Sequence, residues 1–134
     1  MYSKETDDSK HLSFYFILGG KPMYNDRKMN EMQERVDQYI SQFKEGYFSP
    51  LSMLARFTEE IGELAREVNH VYGEKPKKQE EEENTIEAEL GDLLFVMICF
   101  ANSQNISFAE AFDKTMHKIE TRDKDRWTRL DKED

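Results

Sequence analysis

Residues 49 to 72 read SPLSMLARFTEEIGELAREVNHVY, and this stretch predicts the fold because it contains every signal of one long helix. Ser49 is a typical N-cap residue, and Pro50 falls in the first turn, where helices tolerate proline. Gly73 follows as a terminator. Apolar residues recur at steps of three and four, as an amphipathic helix requires. They form a stripe of Leu54, Phe57, Ile61, Leu64, Val68 and Tyr72.

Three further helices are predicted on either side of this one. The first extends from about residue 30 to residue 44, with apolar residues at helical spacing, and it stops near Gly46. Capping-box spacing marks the starts of the third and fourth helices, at Asn84 with Glu87 and at Ser107 with Glu110. No segment alternates with period two for long enough to predict a strand. The sequence therefore predicts an all-α protein built as a four-helix bundle.

The length of 134 residues fits one domain, which we place at residues 29–130. Residues 1–28 show no sustained period, and we interpret them as an extension outside this domain, flexible in character. The third helix is apolar on every side beyond Asp92, so it needs cover from a second subunit as well as from its own chain. We therefore expect a dimer or a dimer of dimers.

Charge and cysteine content restrict the functional classes. The formal net charge of −9 argues against a general affinity for nucleic acids or anionic membranes. Cys99 is the only cysteine, which excludes a disulfide within the chain and fits a reducing, cytoplasmic setting. The apolar run at residues 93–101 is too short to span a bilayer, and the first residues lack the basic region of a signal peptide.

Two acidic pairs are the main chemical signal. Glu60 with Glu63, and Glu89 with Asp92, have the same i, i+3 spacing on two successive helices. A helix places such residues on nearly the same side, so two antiparallel helices can bring four carboxylates into one pocket. Mg²⁺ is the natural ion for such a cage, with Mn²⁺ as a substitute. The alternative is that these acids are solvated surface, as most helical carboxylates are.

Helical angles separate the acids of the second helix. Glu60 borders the apolar stripe, Glu63 lies further round, and Glu59 points furthest away. Glu60 is therefore a better candidate ligand than Glu59. Glu-x-x-His, the usual motif of ferritin-like di-iron sites, is absent because Glu63 and Asp92 occupy the positions where histidine would stand.

At Glu59-Glu60-Ile61-Gly62-Glu63-Leu64 and Glu89-Leu90-Gly91-Asp92 the chain resembles the MazG-like nucleotide pyrophosphohydrolases of the all-α NTP pyrophosphatase superfamily. Their pattern is Glu-Glu-x-x-Glu, a spacer, and Glu-x-x-Asp, and the likeness extends from about Asn30 through Trp127. The resemblance implies Mg²⁺-dependent hydrolysis of a nucleoside triphosphate, NTP or dNTP, to the monophosphate and pyrophosphate, in nucleotide-pool cleansing.

The same resemblance implies roles for individual residues. Its metal ligands correspond to Glu60, Glu63, Glu89 and Asp92, and Glu59 corresponds to a residue that supports or orients the attacking water. We take Glu59, Glu60 and Glu63 as the catalytic candidates. The sequence does not decide which carboxylate acts as the general base.

Other candidates concern the substrate. Four basic residues recur every four positions on the last predicted helix, at Lys114, Lys118, Arg122 and Arg126. We expect Lys118, Arg122 and Arg126 to hold the phosphates. The alternative is a solvated strip paired with nearby acids. Trp127 can stack on a base or cover a helix end. Asn102 can bind a sugar or base, or cap the third helix.

Two other functions remain open at the level of sequence. One is a pyrophosphatase restricted to a single nucleotide, such as dCTP, dUTP or a phosphoribosyl-linked ATP. The other is a non-catalytic helical module whose acidic face binds a partner protein. Substitution of an acid separates them, because an enzyme loses Mg²⁺-dependent turnover, whereas a module binds its partner regardless of Mg²⁺.

Overall fold

The computed structural model describes residues 28–78 and 85–130. These residues contain four helices, which we number in chain order: α1 (Met29–Ile40), α2 (Pro50–Tyr72), α3 (Ile86–Ser103) and α4 (Phe108–Arg122). They contain no strand, so the predicted all-α class is confirmed. Most of the predicted extension, residues 1–27, lies outside the described residues.

The ends of α2 and the start of α4 agree with the predicted caps. The Ser49 hydroxyl accepts a hydrogen bond from the Ser52 N–H at 3.3 Å, and Pro50 opens the helix. Gly73 is the C-cap. At α4 the Ser107 hydroxyl accepts a hydrogen bond from the Glu110 N–H, also at 3.3 Å. Local side-chain chemistry therefore sets these boundaries.

Two predicted boundaries were wrong. The N-cap of α3 is Thr85 rather than Asn84, because the Thr85 hydroxyl accepts the Ala88 N–H at 3.1 Å; Asn84 itself lies outside the described residues. Helix α1 ends at Ile40 rather than at residue 44. Beyond it the N–H groups bond to carbonyls three residues back, which tightens the chain into successive turns. The chain then turns at Gly46, where φ is +59°.

The core lies between α2 and α3, which run antiparallel. Phe57 of α2 meets Phe100 of α3 edge to face, with ring centroids 5.8 Å apart. Among the described residues, every buried apolar side chain belongs to one of these two helices: Met53, Val96, Ile98, Cys99 and Ala101. Helix α1 packs on α3, and α4 packs chiefly on α1. The α2–α3 hairpin is thus the rigid unit of the protomer.

Helices α1 and α4 are attached to this hairpin by side-chain amides. Gln33 of α1 donates to the Asn102 side-chain oxygen at 2.9 Å and to the Ile106 carbonyl at 2.8 Å. It also accepts the Phe108 N–H at 2.9 Å, at the start of α4. Asn102 in turn donates to the Gln33 carbonyl and to the Tyr47 hydroxyl, both at 2.9 Å. One cluster of polar groups therefore joins three helices.

The predicted apolar stripe of α2 is not the buried face of the protomer. Leu54, Ile61 and Tyr72 of this stripe are exposed, Tyr72 by 80%. The buried residues of α2 are Met53 and Glu67 instead. Helix α3 covers the adjacent face of α2, so the protomer leaves part of the predicted stripe exposed. None of the described helices is long and apolar enough to cross a membrane.

Candidate functional site

Three of the four predicted metal ligands converge at the middle of the α2–α3 hairpin. Glu60 on α2 and both Glu89 and Asp92 on α3 each offer a carboxylate oxygen, and these oxygens lie within 4.8 Å of one another. Glu89 is buried, with 2% of its surface exposed, while Asp92 is exposed and Glu60 lies between these extremes. We call these three residues the acidic cluster. It has a buried floor and a side open to solvent.

The electrostatics of the acidic cluster favour a bound cation. Burial raises the pKa of Glu89, and the nearby charge of Asp92 raises it further. Smaller contributions in the same direction come from Glu63, Glu60 and Glu67. A buried carboxylate next to like charges is stabilised by a cation or by a proton. Because all the donors are carboxylate oxygens, the residues fit a hard divalent ion such as Mg²⁺.

The other two predicted acids lie outside this cluster. Glu63 pairs with Arg66 at 3.5 Å, and 47% of its side chain is exposed. Glu59 is 69% exposed and lies 3.9 Å from Arg56. The order of exposure, with Glu60 most buried and Glu59 least, follows the predicted helical angles. The part that each plays at the site stays a prediction.

Two charged residues on the Glu60 face of α2, and a lysine that pairs with one of them, were not among the predicted site residues. Arg56 lies one turn before Glu60 and approaches its carboxylate at 3.5 Å. Glu67 lies two turns after Glu60 and is buried, and its carboxylate lies 3.3 Å from the ammonium of Lys77. The positions of Arg56 and Glu67 on the Glu60 face of α2 were a usable signal. Lys77 lies in the chain beyond α2, so no helical period could have placed it there.

A small cavity of about 120 Å³ adjoins Arg56 at the α1–α2 connection. Its lining includes Met53, Phe48, Val96 and Cys99. A larger groove of about 380 Å³ lies between α1 and α3 and is lined mainly by apolar side chains, with Arg35 among them. The cavity and the groove both border α3, the helix that carries Glu89 and Asp92. Apolar pockets are therefore available beside this helix.

The predicted phosphate-binding residues are not brought to the acidic cluster within the protomer. Lys118 and Arg122 are exposed on α4, which packs chiefly on α1. Arg122 forms two hydrogen bonds to Asp123, both of 3.0 Å. Arg126 was predicted on the last helix, but that helix ends at Arg122, and the Arg126 guanidinium lies 5.3 Å from the ring centroid of Trp127. Trp127 is itself 74% exposed.

Asn102 has both ends of its amide engaged within the protein, at Gln33 and at Tyr47. The amide therefore bonds to α1 and to Tyr47 and does not cap α3, whose C-cap residue is Gln104, and its contact with a substrate stays a prediction. Tyr47 donates to Asp37 at 2.7 Å. Burial raises the pKa of Tyr47 to about 12, and its hydrogen bond to the Asp37 carboxylate contributes in the same direction.

Comparison with known proteins assigns this arrangement to a family. Residues 48–127 match the MazG nucleotide pyrophosphohydrolase domain, a range that contains the acidic cluster, the Glu67–Lys77 pair and α4. The chain belongs to the MazG nucleotide pyrophosphohydrolase family. It is accordingly a hydrolase of the nucleotide pyrophosphohydrolase class, and the non-catalytic interaction module is set aside.

Individual relatives support the MazG assignment. The chain is 65% identical over 105 residues to the uncharacterized protein YpjD of Bacillus subtilis (strain 168), which covers 78% of this chain and 95% of that protein. The crystal structure of YPJD from Bacillus subtilis, described as a candidate pyrophosphatase, has a TM-score of 0.66 at 61% identity, covering 73% of this chain and all of that one.

A second crystal structure, of a Bacillus-conserved MazG protein described as a nucleotide pyrophosphohydrolase, has a TM-score of 0.65 at 59% identity. The match covers 77% of this chain and all of that one. Both structures thus share the MazG fold with this chain along most of its length.

Proposed function

We propose that this MazG protein hydrolyses a nucleoside triphosphate, NTP or dNTP, to the monophosphate and pyrophosphate in the presence of Mg²⁺, with Mn²⁺ as a substitute. The observation that carries the proposal is the convergence of Glu60, Glu89 and Asp92 within 4.8 Å. Such a set of oxygen donors suits an ion that also binds phosphate. We place this activity in the domain at residues 29–130, in the cytoplasm, with removal of unwanted nucleotides as its role.

The metal ligands are the acidic cluster together with Glu63. Glu63 is close enough for its charge to raise the pKa of Glu89, and an i, i+3 carboxylate can turn toward the same ion. Its contact with Arg66 is long and exposed, so the pair is weak. A bound divalent cation neutralises phosphate charge and favours ionisation of water.

The reaction then needs a carboxylate that accepts a proton. Water attacks the α phosphorus, its proton passes to a carboxylate, and the bond from the α phosphorus to the bridging oxygen breaks, releasing pyrophosphate. The side chains of Glu59 and Glu63 are exposed and that of Glu60 is partly exposed, so each is a candidate to accept this proton. Glu89 is buried and serves as a ligand only.

Arg56 is the cation that we propose for the phosphate nearest the sugar. Its guanidinium already lies beside Glu60, and its fork matches phosphate oxygens. We further propose that Lys118, Arg122, Arg126 and Trp127 bind substrate from the α4 region of a partner subunit, since α4 of the same protomer packs chiefly on α1.

A homodimer or homotetramer is part of this proposal. The exposed stripe of α2 and the exposed part of α3 present large apolar side chains, including Leu51, Leu54, Ile61, Tyr72 and Phe95. Contiguous apolar surface of this kind marks association sites. Sedimentation velocity tests the assembly. A species of monomer mass at micromolar concentration would contradict it.

Anion-exchange analysis of products tests the reaction. The protein is incubated with a panel of canonical and modified nucleoside triphosphates, with Mg²⁺ or with a chelator. Monophosphate and pyrophosphate in equal amounts, formed only with Mg²⁺ and lost in Glu60→Gln and Asp92→Asn, are the expected result. The variants must retain the helical circular dichroism of the parent. Turnover that survives in the chelator, or release of orthophosphate alone, would contradict the proposal.

A further inference from the structure

The face of α2 that packs on α3 carries chemically different groups along its length. Met53, Arg56, Glu60 and Glu67 follow at steps of three, four and seven, so they lie along one side of the helix. Met53 borders the small apolar cavity, Arg56 stands between this cavity and the acidic cluster, and Glu67 lies on the far side. At a rise of about 1.5 Å per residue, Met53 and Glu67 are each about 10 Å from Glu60 along the axis.

The Glu67 end of this face contacts a cation, Lys77, to which the reaction proposed above assigns no role. Lys77 approaches both carboxylate oxygens of Glu67, at 3.3 Å and 3.5 Å. The Glu67 side chain is only 7% exposed, whereas 27% of Lys77 is exposed. His70 adjoins the same carboxylate at 3.6 Å and is buried. A buried acid therefore holds a lysine whose side chain is partly exposed to solvent.

We propose that Lys77 binds the terminal phosphates of the substrate, which become the released pyrophosphate, and that Glu67 is the positioning residue that holds it there. This inference depends on the nucleotide substrate proposed above. It adds a direction to the bound substrate: the base end lies toward Met53 and the small cavity, and the phosphate tail lies toward Lys77.

Three observations support this direction. The cavity toward Met53 is apolar, which suits a base and not a polyphosphate. Lys77 is held at the opposite end of this face of α2, where its positive charge can attract the negatively charged phosphate tail. An ammonium has three N–H donors, so Lys77 can bond to Glu67 and to a phosphate oxygen together.

Product inhibition tests the proposal because the two products mark the two ends of the substrate. Lys77→Met is compared with Lys75→Met, which removes the same charge from an exposed position two residues earlier. We expect the inhibition constant of pyrophosphate to rise about tenfold or more in Lys77→Met, as for the loss of a charged hydrogen bond, with inhibition by the monophosphate unchanged. Lys77→Arg retains the charge and most of the affinity.

A double-mutant cycle tests the role of Glu67. If Glu67 positions Lys77, the effect of Lys77→Met on pyrophosphate inhibition is smaller in the Glu67→Gln background than in the parent. Because Lys77→Met leaves the buried carboxylate of Glu67 without its lysine, every protein in the cycle must retain the helical circular dichroism and Tm of the parent before the effects are compared. Equal effects in the two backgrounds would refute a positioning role for Glu67.

Equal pyrophosphate inhibition in Lys77→Met and Lys75→Met, or a change in monophosphate inhibition instead, would overturn the proposal. If no nucleotide is hydrolysed by the parent, the proposed function fails separately. Titration calorimetry of pyrophosphate with Mg²⁺ into the parent and Lys77→Met then decides this inference: weaker binding to the variant supports it, and equal or absent binding refutes it.

Discussion

Glu89→Gln should make the metal-free protein more stable while weakening its response to Mg²⁺. Glu89 is 2% exposed, and its oxygens lie within 4.8 Å of those of Glu60 and Asp92. At an effective dielectric constant of about 20, each such pair of charges repels by about 3.5 kcal/mol. Proton uptake by Glu89 and the solvent around Asp92 reduce this cost. We expect a net gain of about 1–3 kcal/mol in the free energy of unfolding of the variant at pH 8.

The pH dependence follows from the raised pKa of Glu89. A raised pKa in the folded state means that the folded protein binds this proton more tightly than the unfolded chain does. Stability from this group is fully present below the ordinary glutamate value of 4.5 and is lost as pH rises through the folded pKa. The advantage of Glu89→Gln is therefore largest at neutral to alkaline pH, and it disappears as pH falls toward 4.5.

Thermal denaturation in EDTA between pH 4.5 and 8 measures this difference. A gain of 1 kcal/mol corresponds to a rise of about 4 °C in Tm for a domain of this size. Glu120→Gln is the matched control, because Glu120 is exposed on α4 and the net charge changes equally. Added Mg²⁺ should raise the Tm of the parent by several degrees and that of Glu89→Gln by less.

The reasoning would be refuted if Glu89→Gln and Glu120→Gln had the same Tm at pH 8 in EDTA. It would also be refuted if Mg²⁺ raised the Tm of Glu89→Gln as much as that of the parent. A shift shared by both variants would reflect the overall charge of −9 and not the acidic cluster.

Four other outcomes are expected. Met53→Ala should lower the free energy of unfolding by about 2–4 kcal/mol in a urea titration, because Met53 is buried between α2 and α3. In an ultraviolet titration, Tyr47→Phe should lack the tyrosine that ionises at about pH 12 in the parent. Because the pKa of Tyr47 is raised in the folded protein, the stability linked to this group is lost as pH rises from 10 through 12. Asn102→Ala should cost about 1–3 kcal/mol of stability by breaking its bonds to Gln33 and Tyr47, with the KM for nucleotide unchanged in initial-rate assays. Removal of residues 1–28 should leave kcat and KM unchanged, and a loss of turnover would assign part of the site to that segment.

The sequence predicted those parts of the structure that depend on local chemistry. Ser49 and Ser107 cap helices because their hydroxyls satisfy N–H groups within the next three residues. The inward direction of Glu60 and Glu89 follows from helical periodicity, which relates every residue of a helix to its neighbours. The family motif then predicted the class of hydrolase, which the family comparison confirms, while Mg²⁺ and the nucleotide stay proposals.

The features that the sequence did not predict depend on contacts between distant residues. Periodicity identified the apolar stripe of α2, yet Leu54 and Ile61 remain exposed because α3 covers the neighbouring face. Periodicity shows that an apolar stripe needs a packing partner, but it does not show which helix or subunit is that partner. Lys77 reaches Glu67 only through the path of the chain after α2, and that path has no periodic signal.

The attachment of α1 and α4 implies an order of events when the protomer opens. Neither helix contains a buried residue, and Gln33 alone contacts Asn102, Ile106 and the start of α4 at Phe108. Loss of this one side chain's bonds therefore weakens the attachment of both outer helices together. Exchange of backbone hydrogens with solvent should be fastest in α1 and α4 and slowest in α2 and α3. All residues of the acidic cluster belong to the slow pair, so we expect the acidic cluster to remain intact through the first stage of unfolding.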